Sequence, residues 1–464
     1  MKIVIIGAGS YKTLGIIRST MAVPGILDGG EVNLYDLNTT RSEAMGRMLL
    51  KTPERRRAGT KITWGTTLEA ALEGADAVGA FLPALTPKQS YYSTEVSARH
   101  GFISSDNVSP TGAFCAISIA PVVMDIARKM ERYCPNAWFL DFVNPVAVFS
   151  GMINNHTRIR AMGVCGGYTN HLWDISRLAG CDEEAEDLDV DTAGTNHLSF
   201  ITGGTWKVRD LFTVIREHVT ADWKMPPLND WWGPGGKAGI TNSVTRLVRF
   251  WRDLGVLVFS TEGDGMDHLM YDEAVESFHK HFKHQTDAEL DEDIRKSAAL
   301  READDRSFQQ WLDRDLDDAF WNEHWKTDMR FKRTDSDIFV RIFTARAGVR
   351  EVKLAMSSLN NGAISGFKDR HVVEYSQLVY KDSIRPAGKY EVPEVVHGLI
   401  SGLVSHQTLL GDALATDDPK LLAHALMAYP IRSFTQDARS LFRELIAVNA
   451  HKMTPALRQA ADYL

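Results

Sequence analysis

The sequence predicts an α/β protein: an N-terminal, Rossmann-like, doubly wound domain followed by a mixed α+β, mainly helical C-terminal domain. The first observation is a mostly β-branched run over residues 2–6 that stops at Gly7 and is followed by a glycine-containing turn, as in a nucleotide-binding βα unit. The second is that further short apolar runs alternate with helical patterns through the first third of the chain. This alternation favours a parallel sheet covered by helices.

The turn after the first strand predicts a dinucleotide site. Gly7, Gly9 and Ser10 would let the backbone approach a pyrophosphate at the N-terminus of the next helix, although Lys12 stands where the usual fingerprint has its third glycine. Residues 31–36 form the second predicted strand, and Asp36 at its end would accept the ribose hydroxyls, which favours NAD over NADP. A doubly wound domain that binds another nucleotide, or none, is the alternative.

Two later segments follow predicted strands and are candidates for ligand contacts. The strand over residues 137–142 ends in Val143-Asn144-Pro145, and a loop with Asn107 precedes an apolar helix over residues 113–130. Because α/β sheets bind ligands at the carboxyl ends of their strands, Asn144 is predicted to contact the cofactor or substrate, and Arg99 and Asn107 the substrate. A plain strand-terminating turn is an equal alternative for Asn144.

Composition limits the class of protein. The formal net charge is −8 at pH 7, which argues against nucleic acid as a main partner. The four cysteines match no zinc or disulfide spacing and indicate reduced thiols. The N-terminal apolar run is too short for a signal peptide, and no membrane span is predicted. We therefore expect a cytoplasmic protein with a nucleotide-binding domain over residues 1–195 and a second domain over residues 196–464.

A cysteine and a histidine in two later glycine-containing turns suggest a divalent metal. Cys165 lies in Gly163-Val164-Cys165-Gly166-Gly167, and His197 follows Asn196 after Gly194. A thiolate and an imidazole would suit manganese or a similar ion, and zinc is equally compatible with a thiolate. The alternatives are a small buried cysteine and a hydrogen-bonded loop histidine.

Taken in order, these motifs resemble glycoside hydrolase family 4, or a closely related sister family. The similar segments are Gly7 to Ser10, Ser109 to Gly112, Asn144-Pro145, Gly163 to Cys165, Asn196-His197, and in the second half residues 360–366, 373–375, 384–386 and 425–430. The resemblance implies cytoplasmic, homodimeric glycosidases that need NAD+ and usually Mn2+, with Cys165 and His197 as metal ligands and Asn196 near the sugar.

The resemblance also implies a redox-elimination mechanism, a known exception to the two-carboxylate route. The sugar is oxidised at C3, C2 loses its proton, the aglycone leaves C1, water adds, and C3 is reduced again. The C2 base is expected in the segment that follows the apolar run over residues 256–260. Its candidates are Asp264, Asp267, His268 and Tyr271, with a helix cap by Asp264 as the alternative.

Two departures from the family pattern bear on the substrate. The loop over residues 106–113 lacks the common Glu-Thr-x-Gly-Pro-Gly-Gly run, and Gly166 stands where a His, Asp or Asn commonly follows the metal cysteine. No general acid can therefore act from that position. We expect an anionic hexose glycoside, with a sulfoquinovoside favoured and a 6-phosphoglycoside or glucuronide as alternatives. An NAD-dependent dehydrogenase of a hydroxy acid or polyol and a non-catalytic NAD-sensing protein are rival functions.

Overall fold

The computed structural model describes most of the chain. The described residues are 1–180, 187–224, 233–260, 263–266, 268–269, 282–327, 336–430 and 438–464, with backbone alone at 233–243, 263–264, 325–327, 336 and 438. The strands are β1 (Lys2–Ile6), β2 (Glu31–Tyr35), β3 (Lys61–Trp64), β4 (Ala77–Ala80), β5 (Trp138–Asp141), β6 (Arg160–Gly163), β7 (Leu188–Thr195), β8 (Leu198–Trp206), β9 (Arg209–Asp210), β10 (Leu257–Val258), β11 (Val352–Leu359), β12 (Val372–Val379) and β13 (Ile384–Pro386).

Helices of very different lengths connect and cover these strands. They are α1 (Lys12–Ala22), α2 (Thr39–Leu50), α3 (Pro53–Ala58), α4 (Leu68–Leu72), α5 (Pro87–Arg99), α6 (Pro110–Tyr133), α7 (Val146–His156), α8 (Tyr168–Leu178), α9 (Leu211–His218), α10 (Gly233–Leu254), α11 (Gly263–Met266), α12 (Asp287–Leu312), α13 (Asp318–Thr327), α14 (Ser336–Arg346), α15 (Glu394–Thr416), α16 (Pro419–Met427), α17 (Ala438–Asn449) and α18 (Pro455–Arg458). Two 3₁₀ turns, Ala450–Lys452 and Gln459–Tyr463, lie beside α18.

The first six strands form a parallel sheet in the order β3-β2-β1-β4-β5-β6. This is the strand order of a doubly wound dinucleotide-binding fold. The predicted α/β class, with its Rossmann-like N-terminal part, is confirmed. The apolar run of β1 is explained by burial on both faces, since Ile3, Val4 and Ile5 are fully buried.

An antiparallel extension continues the same sheet beyond β6. Strand β11 pairs with β6 through Ser357 and Gly163, and the order then runs β11-β12-β7-β8-β10. A Cβ on Gly163 would lie 2.9 Å from the Ser357 Cβ, so the close approach of these strands requires glycine. One sheet of 13 strands thus spans the described chain, and the division of the chain near residue 195 stays a prediction.

Helix α6 is the long apolar helix predicted over residues 113–130. It begins three residues earlier because Pro110 occupies its first turn, where a proline loses no hydrogen bond. By length and composition this helix could cross a membrane, whereas the sequence predicts no membrane span. Its most apolar window is 67% buried within the fold, so burial in the core accounts for its composition.

Helix α12 is formed by a charge-rich segment, and most of its side chains are exposed to solvent. Thr286 and Glu289 form a capping box at its start. Its buried side chains are Leu290, Phe308 and Leu312, and the Phe308 ring packs edge-on against Tyr11, with centroids 5.2 Å apart. A helix from the second half of the chain therefore rests on the nucleotide-binding half.

Phe139, at the centre of β5, tests where the core of the sheet lies. Its side chain is fully buried, so Phe139→Ala should lower the free energy of unfolding by about 3–5 kcal/mol. Val122→Ala is the control, since Val122 is 45% exposed on α6. Urea unfolding measures both. A Phe139→Ala cost as small as that of the control would contradict the assignment of this strand to the core.

Candidate active site

A polar cavity of about 280 Å³ opens where β1, β5 and β6 end and where β7 turns into β8. It is lined by Lys12, Phe142, Asn144, Val146, Val164, Cys165, Gly166, Gly167, Asn170, Asn196 and His197. The parallel strands deliver their carboxyl ends to one edge, and the antiparallel extension brings the β7–β8 turn to the same edge. The cavity therefore brings together Cys165, His197, Asn144 and Asn196.

Cys165 and His197 are placed as two ligands of one metal ion would be. Cys165 Sγ lies 3.8 Å from His197 Nε2. For comparison, two such ligands of a tetrahedral zinc ion, with bonds of about 2.3 Å to sulfur and about 2.1 Å to nitrogen, would lie about 3.6 Å apart. Among the described residues no group of three His, Cys, Asp or Glu could hold a metal. Water or substrate oxygens could fill further coordination positions.

The surroundings of Cys165 favour its thiolate. The backbone N–H of Gly167 donates to Cys165 Sγ over 3.3 Å, and helix α8 begins at the next residue. A helix N-terminus stabilises a neighbouring negative charge. His171, on the first turn of this helix, lies with Nε2 4.0 Å from the same sulfur.

The tight β7–β8 hairpin sets the position of His197. The backbone of His197 has a φ of +64°, and a Cβ on Gly194 would lie 2.4 Å from the Leu198 carbonyl oxygen. A Cβ on Gly265 would lie 1.6 Å from the His197 carbonyl oxygen. Glycine is thus required at Gly194, within the hairpin, and at Gly265, in helix α11. Helix α11 therefore packs directly against the turn that carries His197.

Glu374 on β12 is the centre of a buried hydrogen-bond network behind this turn. Its carboxylate accepts from Asn196 Nδ2 at 2.8 Å, Ser199 Oγ at 2.7 Å and Ser357 Oγ at 3.4 Å. Burial raises the pKa of Glu374, and the three donors and the nearby His197 oppose this shift. Glu374 thereby holds the residue next to His197 in one orientation.

A second carboxylate orients Asn144. Asp106 accepts from Asn144 Nδ2 at 2.9 Å and from Asn107 Nδ2 at 3.1 Å. Asn107 itself is buried, and its Oδ1 has no hydrogen-bond partner among the described residues. Asp141, at the end of β5, accepts from the Val143 N–H, and full burial raises its pKa. Carboxylates therefore support the turn that carries Asn144 into the cavity.

The turn after β1 has the shape that a dinucleotide requires. Gly7 has a φ of +79°, and a Cβ there would lie 2.0 Å from the Phe81 carbonyl oxygen. Helix α1 has no acidic residue in its first turn, so nothing there repels a pyrophosphate. Ser10 Oγ accepts from the Lys12 N–H at 3.3 Å, and Asp36 accepts from the Gly9 N–H at 2.7 Å. These residues fit the predicted cofactor.

The predicted base segment lies partly outside the described residues. Asp267, Tyr271 and the side chain of Asp264 fall there. His268 is described: it is buried, and its Nε2 lies 3.2 Å from Tyr429 Oη. It does not line the cavity. The contact of Gly265 with the His197 turn places the start of this segment beside the candidate metal ligand, and the choice of base stays a prediction.

Arg99 lies away from the cavity. Its guanidinium pairs with Glu95 and Glu444, and both carboxylates raise its pKa. The cation that lines the cavity is Lys12, whose Nζ lies 4.4 Å from the Phe142 ring centroid. The role of Arg99 in substrate binding stays a prediction.

Four residues in or beside the site are not predicted from the sequence to be functional. They are Lys12, Asn170, His171 and Glu374. His171 follows Cys165 by six residues. A histidine shortly after the Gly-Gly turn is a local pattern from which a position near Cys165 could have been predicted. In the sequence, Lys12 stands out only as a departure from the glycine fingerprint. Glu374 reaches the site from 178 residues beyond Asn196, which no local pattern reveals.

Removal of either candidate ligand should weaken metal binding strongly. Cys165→Ser and His197→Ala should each weaken Mn2+ binding by more than about 100-fold, the upper range for loss of an outer partner, as measured by calorimetry on reduced protein. Cys134→Ala is the matched control, because burial raises the pKa of that thiol to about 11 and leaves it protonated. Unchanged Mn2+ affinity in both ligand variants would refute the metal site.

Glu374→Ala should weaken Mn2+ binding by about 10–100-fold, since the turn that holds His197 loses its buried acceptor. Gln377→Ala is the control on the same strand, because Gln377 Nε2 donates to the Met356 carbonyl at 2.8 Å and does not reach the turn. Both variants should lower the melting temperature. Equal metal affinity in the two would show that Glu374 serves stability alone.

The chain is similar to characterised proteins over nearly its whole length. An α-galacturonidase of Thermoanaerobacter italicus is 24% identical over 96% of this chain and 95% of its own. A 6-phospho-α-glucosidase from gut microorganisms, solved with NAD and Mn2+, has a TM-score of 0.78 and 19% identity, covering 97% of this chain and 98% of its own. A 6-phospho-β-glucosidase of Thermotoga maritima, solved with manganese, NAD+ and glucose-6-phosphate, has a TM-score of 0.73 and 17% identity, covering 98% and 99%.

Two family models together match most of the sequence. The model of family 4 glycosyl hydrolases matches residues 2–177, and the model of their C-terminal domain matches residues 192–431. The resemblance seen in the sequence and the expected enzyme class, an NAD-dependent glycosidase, are confirmed. This chain belongs to glycosyl hydrolase family 4.

Proposed function

We propose that this protein hydrolyses glycosides of a hexose with an anionic group at C6, with NAD+ as a catalytic redox cofactor and a divalent metal, Mn2+, at Cys165 and His197. The observation that carries the proposal is the cavity in which this pair meets Asn144 and Asn196. It opens at the same sheet edge as the nucleotide turn, where a nicotinamide and a sugar could meet.

Bound NAD+ would supply reversible hydride transfer, and the metal would polarise the oxygens of the bound sugar. The residues of the chain orient that sugar. Asp106 and Glu374 hold the amide nitrogens of Asn144 and Asn196, which leaves the two amide oxygens to accept from sugar hydroxyls. Lys12 brings a positive charge to the cavity, and this supports an anionic ligand.

The finer choice of sugar rests on Gly166 and on the relatives. Gly166 lines the cavity without a side chain, and a sulfoquinovoside, whose C6 carries a sulfonate, is our specific proposal. The solved relatives named as 6-phosphoglucosidases make a 6-phosphoglycoside the first alternative substrate. The galacturonidase relative supports a uronide as a second alternative.

The base that removes the C2 proton is proposed to come from the segment after β10. Asp264, Asp267, His268 and Tyr271 remain its candidates, and the contact of Gly265 with the His197 turn supports this location. A homodimer in the cytoplasm is proposed from the family resemblance alone.

Nitrophenyl glycosides test the proposal directly. The glucoside, 6-phosphoglucoside, glucuronide and sulfoquinovoside, each as both anomers, are incubated with and without NAD+ and Mn2+, while NADH absorbance is followed separately. We expect nitrophenol release that requires NAD+, produces no net NADH and favours an anionic sugar, because the hydride is returned within each turnover.

The variants and the rival functions are distinguished by the rates of aglycone release and of NADH formation. Cys165→Ser should lose at least about 100-fold in kcat/KM, a loss of about 2.7 kcal/mol of transition-state stabilisation, whereas Cys134→Ala should retain activity. Accumulation of NADH without aglycone release would instead establish a dehydrogenase. Binding of NAD+ without turnover of any glycoside would favour the rival function, a non-catalytic NAD-sensing protein.

A further inference from the structure

We propose that Asp305 on helix α12 determines the choice of cofactor, because it neutralises Arg41 and thereby excludes the 2′-phosphate of NADP. The proposal rests on the proposed use of NAD+ and concerns its adenosine end, away from the sugar.

The sequence around the end of β2 is ambiguous about the cofactor. Asp36 at this position favours NAD, because a carboxylate accepts the ribose 2′-hydroxyl and repels a phosphate. Arg41, on the first turn of α2, is the residue type that accommodates the 2′-phosphate of NADP. Neither residue alone decides between the two cofactors.

The structure places both side chains against the same glycine of the nucleotide turn. A Cβ on Gly9 would lie 2.9 Å from Asp36 Oδ2 and 2.9 Å from the Arg41 Cβ. The Asp36 carboxylate accepts from the Gly9 N–H at 2.7 Å, and Arg41 Nε donates to the Gly9 carbonyl at 3.0 Å. Arg41 is therefore within the neighbourhood of the ribose that Asp36 would bind.

Asp305 pairs with the guanidinium group of Arg41. Its Oδ2 pairs with Arg41 Nη1, and its Oδ1 accepts from Tyr11 Oη at 2.8 Å. The Arg41 guanidinium carbon lies 5.4 Å from the Tyr11 ring centroid, so the ring also covers the cation. The side chains of Arg41 and Asp305 are 31% and 41% exposed, which leaves the pair open to solvent and to a ligand.

The charges of this group disfavour a second phosphate. Arg41 pairs with Asp305, and Asp36 lies beside the same glycine, Gly9. The three side chains together carry two negative charges and one positive charge, so the group has a net negative charge. A phosphate monoester adds about two negative charges at neutral pH and would have to displace Asp305 from Arg41. The neutral 2′-hydroxyl of NAD has no such conflict.

The docking of α12 does not depend on Asp305 alone. Arg47 pairs with Asp313 at 3.2 Å, Lys51 donates to the Arg314 carbonyl at 2.6 Å, and Phe308 packs on Tyr11. Asp305→Asn, which keeps the shape of the side chain, should therefore leave the helix in place. Asp313→Asn is the matched control, since it removes an ion pair of the same segment away from the nucleotide turn.

Calorimetric titration of NAD+ and NADP+ into the full-length protein tests the proposal. The wild type should bind NAD+ and discriminate strongly against NADP+. Asp305→Asn should raise NADP+ affinity about tenfold, because Arg41 becomes available for a charge-assisted hydrogen bond. Its NAD+ affinity should stay within about threefold, and Asp313→Asn should change neither.

A second variant separates this role from a structural one. Arg41→Ala combined with Asp305→Asn should lose the gain for NADP+, since the gain requires the freed guanidinium. If Asp305→Asn binds NAD+ normally and NADP+ no better than the wild type, the inference is overturned. A wild type that binds neither nucleotide would overturn the proposed function itself, a result distinct from the first.

Discussion

The whole site depends on the pairing of β6 with β11. Gly163 has no side chain, and this allows the β11 backbone at Ser357 to approach closely enough to extend a parallel sheet with antiparallel strands. Through that junction β12 and β7 take their places, and the β7–β8 turn arrives beside the end of β6. Cys165 and His197, which are 32 residues apart, meet for this reason.

Much of the nucleotide-binding half could be predicted because its signals are local. Residues 3–6 are apolar because β1 is buried on both faces. Gly7 follows because the backbone turns where a Cβ would clash with the Phe81 carbonyl. The glycine-containing turns around Cys165 and His197 suggested a metal pair, and the order of the motifs in a known family strengthened that prediction. Neither residue alone distinguishes a ligand from an ordinary core or loop side chain.

The remainder was beyond the sequence because it arises from long-range packing. Glu374 acts on Asn196 only after β12 has paired with β7, and Asp305 reaches Arg41 only after α12 has folded back across the nucleotide-binding half. Arg99 stays a predicted substrate contact, and its pairing with Glu444, 345 residues later in the chain, is another contact that no local pattern reveals.

The thiols of this protein are unequally protected from oxidation. Burial raises the pKa of Cys115 to about 12 and that of Cys134 to about 11, so both remain protonated and unreactive. Cys165 is only partly buried, accepts an N–H and lies at a helix N-terminus, the conditions that make a thiolate sensitive to peroxide. Loss of the proposed metal would expose this sulfur to sulfenic acid formation by peroxide, so the candidate site is the part of the described chain most sensitive to oxidation.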